Sequence, residues 1–170
     1  DAEIRAVTPF QAIFLARRGS TLGERMRAGA RDLLSSGFDA VVLIGSDLPT
    51  LPPELVSRAI GTLMRQDEVL VLGPAEDGGY YLIGLTQSRA ELFEGIPWGT
   101  PFVLQRTLEA AEALGIPVEA LPFWYDVDSA SDLRRVSHPP EQHNGAAHYT
   151  RAWLAAAPPA VRARVDGETM

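Results

Sequence analysis

The run "AVVLI" at residues 40–44 places five apolar residues in succession, three of them β-branched, which suits a strand buried on both faces. The chain then turns through "GSDLPT", and Pro52 and Pro53 open a helix whose apolar stripe is Leu55, Val56, Ala59, Ile60 and Leu63. A strand feeding into a helix is the unit of a mostly parallel sheet, because parallel neighbours need a long crossover to join them. That requirement restricts the fold more than any other feature of the chain.

The unit recurs along the sequence. Residues 12–16, "AIFLA", read as a strand; "RRGSTLG" reads as a loop with Ser20 and Thr21 as helix caps; Leu22, Met26, Ala30, Leu33 and Leu34 are the stripe of a helix that "SSGFD" ends. Strands follow at 68–73, "EVLVLG", and, after the turn "PAEDGG", at 80–85, "YYLIGL". Residues 101–114 read as a helix closed by Gly115 and Pro117, "PVEAL" as a short strand, and 129–136 as a last short helix with a serine cap. The expected architecture is α/β, with a mostly parallel sheet between helices in three αβα layers. Residues 1–137 are read as that domain. From His138 the composition turns loop-like and then Ala-rich, broken by Pro158 and Pro159, so residues 138–170 are read as an appendage that is partly helical or disordered.

With 170 residues, 46% hydrophobic and 22% charged, the chain can bury the core of one domain. Its net charge of −7 opposes nucleic acid or an anionic membrane as a main partner. Phosphates remain within reach of such a chain if a metal sits between the charges. The absence of cysteine excludes disulfides, Cys-based zinc sites and Cys nucleophiles, and it fits a cytoplasmic location. No run approaches the roughly 18 apolar residues of a membrane helix, and "DAEIRAVTPF" lacks the pattern of a signal peptide, so no membrane span is expected.

Three stretches can carry chemistry. In open α/β sheets ligands bind beyond the carboxyl ends of the strands, and Asp47 lies three residues past its apolar run, on that rim. An isolated Asp-x-Pro is more often a turn residue, so Asp47 needs a partner. "YDVDSASDL" supplies Asp126 and Asp128, two residues apart, whose carboxylates share a face in extended backbone and suit a hard divalent cation; the competing reading has Asp128 or Ser129 capping the next helix while Asp132 faces solvent. "GPAEDGGYYLIGL" pairs Gly78 with Gly79, which reads equally as an anion-binding nest or as a hairpin turn. Trp98 in "IPWGT" is a core plug or a pocket wall. His138, His143 and His148, five residues apart, share no ligand face and receive no role. Arg89, Arg106, Arg134 and Arg135 are read as solvated.

Taken in series, "LGERM", "LIGSDLPTLPPELV", "VLGPAEDGGYYLIGL", "IPWGT" and "DVDSASDL" resemble a bacterial and archaeal family of small glycosyltransferases with the Rossmann-like nucleotide-diphospho-sugar transferase (GT-A-like) fold, over about residues 12–136. More distantly the chain is similar to 2-phospho-lactate guanylyltransferase and molybdenum-cofactor nucleotidyltransferases, whose Asp-x-Asp-Thr-x-x-Asp-Leu ending matches Asp126 to Leu133 with serine at 129. The resemblance implies that Asp47, Asp126 and Asp128 bind Mg²⁺ or Mn²⁺ bridging the phosphates of a nucleotide or nucleotide sugar. It implies that Thr21, Gly23, Arg25 and Ser46 lie near the nucleotide, and that Gly78, Gly79, Tyr80 and Trp98 border a small-molecule acceptor. It assigns no catalytic residue. The family's fold begins with a strand and a Gly-, Arg- and Lys-rich phosphate loop, and nothing before "AIFLA" matches it, so that unit is expected to be missing.

The leading expectation is a metal-dependent glycosyltransferase. Its alternatives are a guanylyltransferase-like nucleotidyltransferase releasing pyrophosphate and a non-catalytic nucleotide-binding module, the latter favoured by the missing loop. A weaker third class is a homo-oligomer in which a second chain covers an exposed edge strand.

Overall fold

The computed structural model describes residues 12, 18–137 and 147–167. The strand expected at 12–16 and the histidines at 138 and 143 lie outside the described residues, apart from residue 12. The elements in order are α1 (Leu22–Ser35), β1 (Val41–Ile44), α2 (Pro53–Leu63), β2 (Leu70–Pro74), β3 (Tyr80–Leu85), a 3₁₀ turn (Ala90–Leu92), α3 (Val103–Ala113), β4 (Val118–Ala120), α4 (Ala130–Ser137), α5 (His148–Ala156) and α6 (Pro159–Asp166). Their causes are local. Thr21 caps α1 by accepting the Glu24 N–H, and the Glu24 carboxylate reaches back in a capping box. Proline occupies the first turns of α2 and α6, where its missing N–H costs nothing.

The four strands stand in the order β1-β3-β2-β4. β2 and β4 pair in parallel, whereas β3 is antiparallel to both β1 and β2, so two of the three pairings depart from the mostly parallel sheet that the strand-helix alternation implies. The reason is length. Only residues 75–79 separate β2 from β3, enough for a hairpin and far short of a crossover. β1, β2 and β4 still run the same way, with β3 reversed between them.

A second correction concerns β1. Its continuous apolar run predicts burial on both faces, but only Val41 is buried and Ile44 is 52% exposed, because β1 is the edge strand among the described residues. The fully buried strands are β2 and, from Tyr81 onward, β3.

Alternation along these two strands divides the core. Leu70, Leu72, Ile83 and Leu85 face Ala30 of α1 and Ala111 of α3, while Val71 and Leu82 belong with Ala59 and Leu63 of α2. The α5 and α6 helices pack against α4, burying Leu154 and Val165 beside Val136, and Arg134 Nε donates to the Val165 carbonyl at 2.7 Å. No helix among the described residues is long and apolar enough to cross a membrane.

Candidate functional site

The rim beyond the strand ends is assembled by one crossing segment. Trp124 pairs with Ala75 at the end of β2, its N–H donating to the Pro74 carbonyl (3.0 Å) and its carbonyl accepting the Glu76 N–H (3.1 Å). Three residues later the Val127 N–H donates to the Asp47 carbonyl at 2.9 Å. The segment therefore reaches from β2 to the end of β1, and the residues flanking Val127 are Asp126 and Asp128. A hydrogen bond from Trp124 Nε1 to the buried Thr50 hydroxyl (3.1 Å) ties the same two regions together.

This brings Asp47, Asp126 and Asp128 together: one carboxylate oxygen from each lies within 4.8 Å of the other two. Gly45 makes room for the first of them, since a Cβ there would stand 2.5 Å from Asp47 Oδ1. Burial, followed by the charges of Asp77, Asp128 and Asp47, pushes the Asp126 carboxyl above its usual value. Asp132 does not simply face solvent. Its Oδ2 accepts from the Ser129 hydroxyl (2.6 Å), the Ser129 N–H (2.9 Å) and the Asp128 N–H (3.2 Å). The helix start is thus capped by Ser129 and Asp132, leaving the Asp128 carboxylate for the triad. A set of three hard oxygen donors, with no histidine or cysteine, fits Mg²⁺ or Mn²⁺.

The triad borders a cleft of about 760 Å³. Asp47, Asp126, Arg25, Ser46, Gly79, Tyr80 and Trp98 of the expected site line it, and Thr21, Gly23, Gly78 and Asp128 do not. Thr21 is held by the capping box, and the Arg25 guanidinium donates to the Gly19 (3.2 Å) and Ser20 (2.9 Å) carbonyls. Gly23 acts through space: a Cβ there would fall 2.6 Å from Trp98 Cε2. Trp98 is both plug and wall, half-buried against the core and edge-on to Tyr80 at 6.2 Å between ring centroids. The Tyr80 hydroxyl is buried, so the phenol is not what Tyr80 offers the cleft.

Gly78 has a structural cause. Its φ is +91°, and a Cβ would stand 2.7 Å from Pro101 Cα, against backbone that cannot swing aside. Gly78→Ala is expected to cost roughly 1–3 kcal/mol through strain and overpacking. Gly79→Ala, whose Cβ meets only the Asp77 carboxylate at 3.2 Å, should cost less, and chemical denaturation of the two variants checks the order.

The residue that sequence reasoning missed is Asp77. It lines the cleft, its Oδ1 accepts the Gly79 N–H at 2.8 Å, and it faces Asp126 strongly enough to raise that carboxyl. Asp-Gly-Gly reads as a turn, and the turn is real; its side chain nonetheless reaches the site.

Comparison with known proteins gives a family and a fold. Residues 2–100 match the family described as uncharacterized protein conserved in bacteria (DUF2064). The chain is 35% identical to a putative nucleotide-diphospho-sugar transferase from Desulfovibrio desulfuricans G20, whose crystal structure it matches with a TM-score of 0.81 over 95% of this chain and 70% of that one. No curated protein matches it. The mixed α/β fold with its four-stranded sheet is thereby one that this chain shares with that putative nucleotide-diphospho-sugar transferase.

Proposed function

This chain belongs to the DUF2064 family of uncharacterized proteins conserved in bacteria, and on that premise we propose that it is a metal-dependent glycosyltransferase using a nucleotide-sugar donor. The observation that carries the reading is the convergence of Asp47, Asp126 and Asp128 within 4.8 Å at the mouth of a cleft of about 760 Å³. The cleft has the size of a small-molecule site, roughly 300–1,000 Å³.

The three carboxylates would hold Mg²⁺ or Mn²⁺, which when bound neutralises the charge of a diphosphate leaving group. The other groups position the substrates. Arg25 and Ser46 line the cleft and would meet the nucleotide, with Thr21 and Gly23 acting through the helix cap and through Trp98. Gly79, the Tyr80 ring and Trp98 form the wall that we assign to the acceptor, and Gly78 shapes the turn that carries it. In glycosyl transfer the acceptor oxygen bonds to the sugar's anomeric carbon as the bond from that carbon to the diphosphate oxygen breaks, and the acceptor proton must leave. We assign Asp77 to receive it, as the cleft carboxylate outside the triad. No covalent nucleophile is required, so most of the rate enhancement would come from orientation. Residues 1–137 would contain this machinery, with the helices beyond bracing α4.

The test is a thermal-shift and calorimetric screen against nucleoside triphosphates, nucleoside diphosphates and nucleotide sugars, each with and without Mn²⁺, in the reducing conditions of a cytoplasm. A ligand that binds only the folded chain raises its apparent stability. Manganese-dependent stabilisation by a nucleotide sugar, followed by release of nucleoside diphosphate on turnover, is the expected result. Stabilisation by a nucleoside triphosphate with pyrophosphate release would transfer the assignment to nucleotidyl transfer, for which the same triad is suited. Binding without turnover would leave a nucleotide-binding module. Sedimentation at several concentrations reports whether a second copy covers the β1 edge.

A further inference from the structure

Arg135, read from sequence as a solvated cation, is held by two residues, Glu76 and Tyr125. Its Nη1 donates to Glu76 Oε2 at 2.7 Å and its Nη2 to Glu76 Oε1 at 3.1 Å, a two-pronged fork. Its guanidinium carbon lies 3.7 Å from the centroid of the Tyr125 ring, and Tyr125 in turn stacks on Trp124 at 5.8 Å and 21°. Glu76 immediately precedes Asp77, and Tyr125 immediately precedes Asp126. One side chain on α4 thus grips the residue before each of two cleft carboxylates, at the place where the crossing segment joins the end of β2.

One turn earlier on the same helix, Asp132 holds the Asp128 N–H. Residues 132 and 135 are three apart, so both side chains leave α4 on neighbouring positions of one face and address the segment 125–128 from one side. The backbone of the crossing segment is bonded at Trp124 and Val127, and Tyr125 and Asp126 lie between these two points.

We propose that Arg135 is a positioning residue for the carboxylate triad: by clamping Glu76 and Tyr125 together it sets the direction of Asp126 toward Asp47 and Asp128, and so sets divalent-metal affinity. The inference rests on the triad being a metal site, as proposed above. Half of the Arg135 and Glu76 side-chain surfaces face water, 46% and 53% exposed, so the pair contributes little to global stability and its use is local.

The experiment measures Mn²⁺ affinity by electron paramagnetic resonance in the full 170-residue chain, without nucleotide, for wild type, Arg135→Gln, Arg135→Lys and Glu76→Gln. Arg135→Gln should weaken Mn²⁺ about tenfold or more, the scale on which outer partners of metal ligands act. Arg135→Lys keeps the charge over the ring but not the fork, and should recover only part of the loss. Glu76→Gln should weaken Mn²⁺ as well, and the double variant Arg135→Gln/Glu76→Gln should be no worse than Arg135→Gln alone, because that substitution already removes the fork to Glu76. Metal-free melting temperatures should stay within a few degrees of wild type throughout; a role in global stability alone would move these and leave affinity untouched. Should Arg135→Gln fold poorly, Arg135→Lys and Glu76→Gln carry the comparison. Affinities within twofold of wild type in all variants overturn the inference and leave the metal site standing. A wild-type chain that does not bind Mn²⁺ overturns the metal site, and the positioning role falls with it.

Discussion

Asp47→Asn should abolish manganese-dependent nucleotide binding while the metal-free variant melts at or above the temperature of the wild type. The substitution keeps the shape of the side chain and the backbone bond from Val127 to the Asp47 carbonyl, so the rim need not rearrange. It removes one of three charged donors. The loss of manganese affinity should exceed the roughly 10–100-fold that follows removal of an outer partner of a metal ligand. In the wild type, ligand at a hundredfold excess over its Kd stabilises the fold by about 2.7 kcal/mol, or roughly 5–11 °C in Tm for a domain of this size. That shift should vanish in the variant. Retention of the full shift would remove Asp47 from the metal site.

The metal-free gain comes from the same repulsion that perturbs Asp126. Burial, with help from Asp77, Asp128 and Asp47, raises its folded pKa above the unfolded value. An acid with a raised folded pKa holds its proton more tightly in the folded chain. Its contribution to stability is full below the unfolded pKa and is lost as pH rises through the folded one. Removing the Asp47 charge relieves part of that loss near neutral pH. Metal competes with the Asp126 proton, so the manganese shift of the wild type should grow as pH rises across the same interval.

The convergence of the three carboxylates was more legible in the sequence than the sheet that carries them. Asp47 stands where an apolar run gives out, and Asp126 and Asp128 flank Val127, whose N–H is pinned to the Asp47 carbonyl. Two helix starts were legible for a similar local reason: Pro53 lies at the start of one, and Thr21 with Glu24 forms a cap readable within four residues; Pro159, read as a break, in fact begins a helix. Strand direction was not read correctly, although the five residues between β2 and β3 could have excluded a crossover. β1 was misjudged because its composition does not encode which strands stand beside it.

What local spacing could not supply were contacts across long separations. Arg135 meets Glu76 59 positions away, and nothing near either residue announces the pair. Glycines gave half of their meaning. Gly23 and Gly78 could be singled out, but that one admits the Trp98 indole and the other abuts the Pro101 backbone is a property of packing. Asp77 was hidden by its own turn, since a residue that satisfies a local rule invites no further question.

Asp77→Asn should lower turnover by about 10²–10⁴-fold while leaving manganese-dependent donor binding unchanged. The three triad carboxylates each bring an oxygen within 4.8 Å of the others and would be engaged by the cation, so none would be free to accept a proton while it is bound. Asp77 lines the cleft as a carboxylate outside the triad, with Oδ1 fixed by the Gly79 N–H at 2.8 Å, and its other oxygen is the one we assign to a substrate hydroxyl. Asparagine preserves a carbonyl oxygen for the Gly79 bond, so the turn and the cleft wall persist and only basicity is lost. The result also separates the two chemistries that the triad permits. A hydroxyl acceptor must surrender a proton during glycosyl transfer, whereas a phosphate acceptor in nucleotidyl transfer attacks as an anion and needs no base. A large fall in turnover with intact donor affinity therefore supports proton transfer at Asp77 and a hydroxyl acceptor. Unchanged turnover would remove Asp77 from the chemistry and favour the phosphate acceptor; a fall in donor affinity of the same size would place Asp77 in nucleotide binding instead.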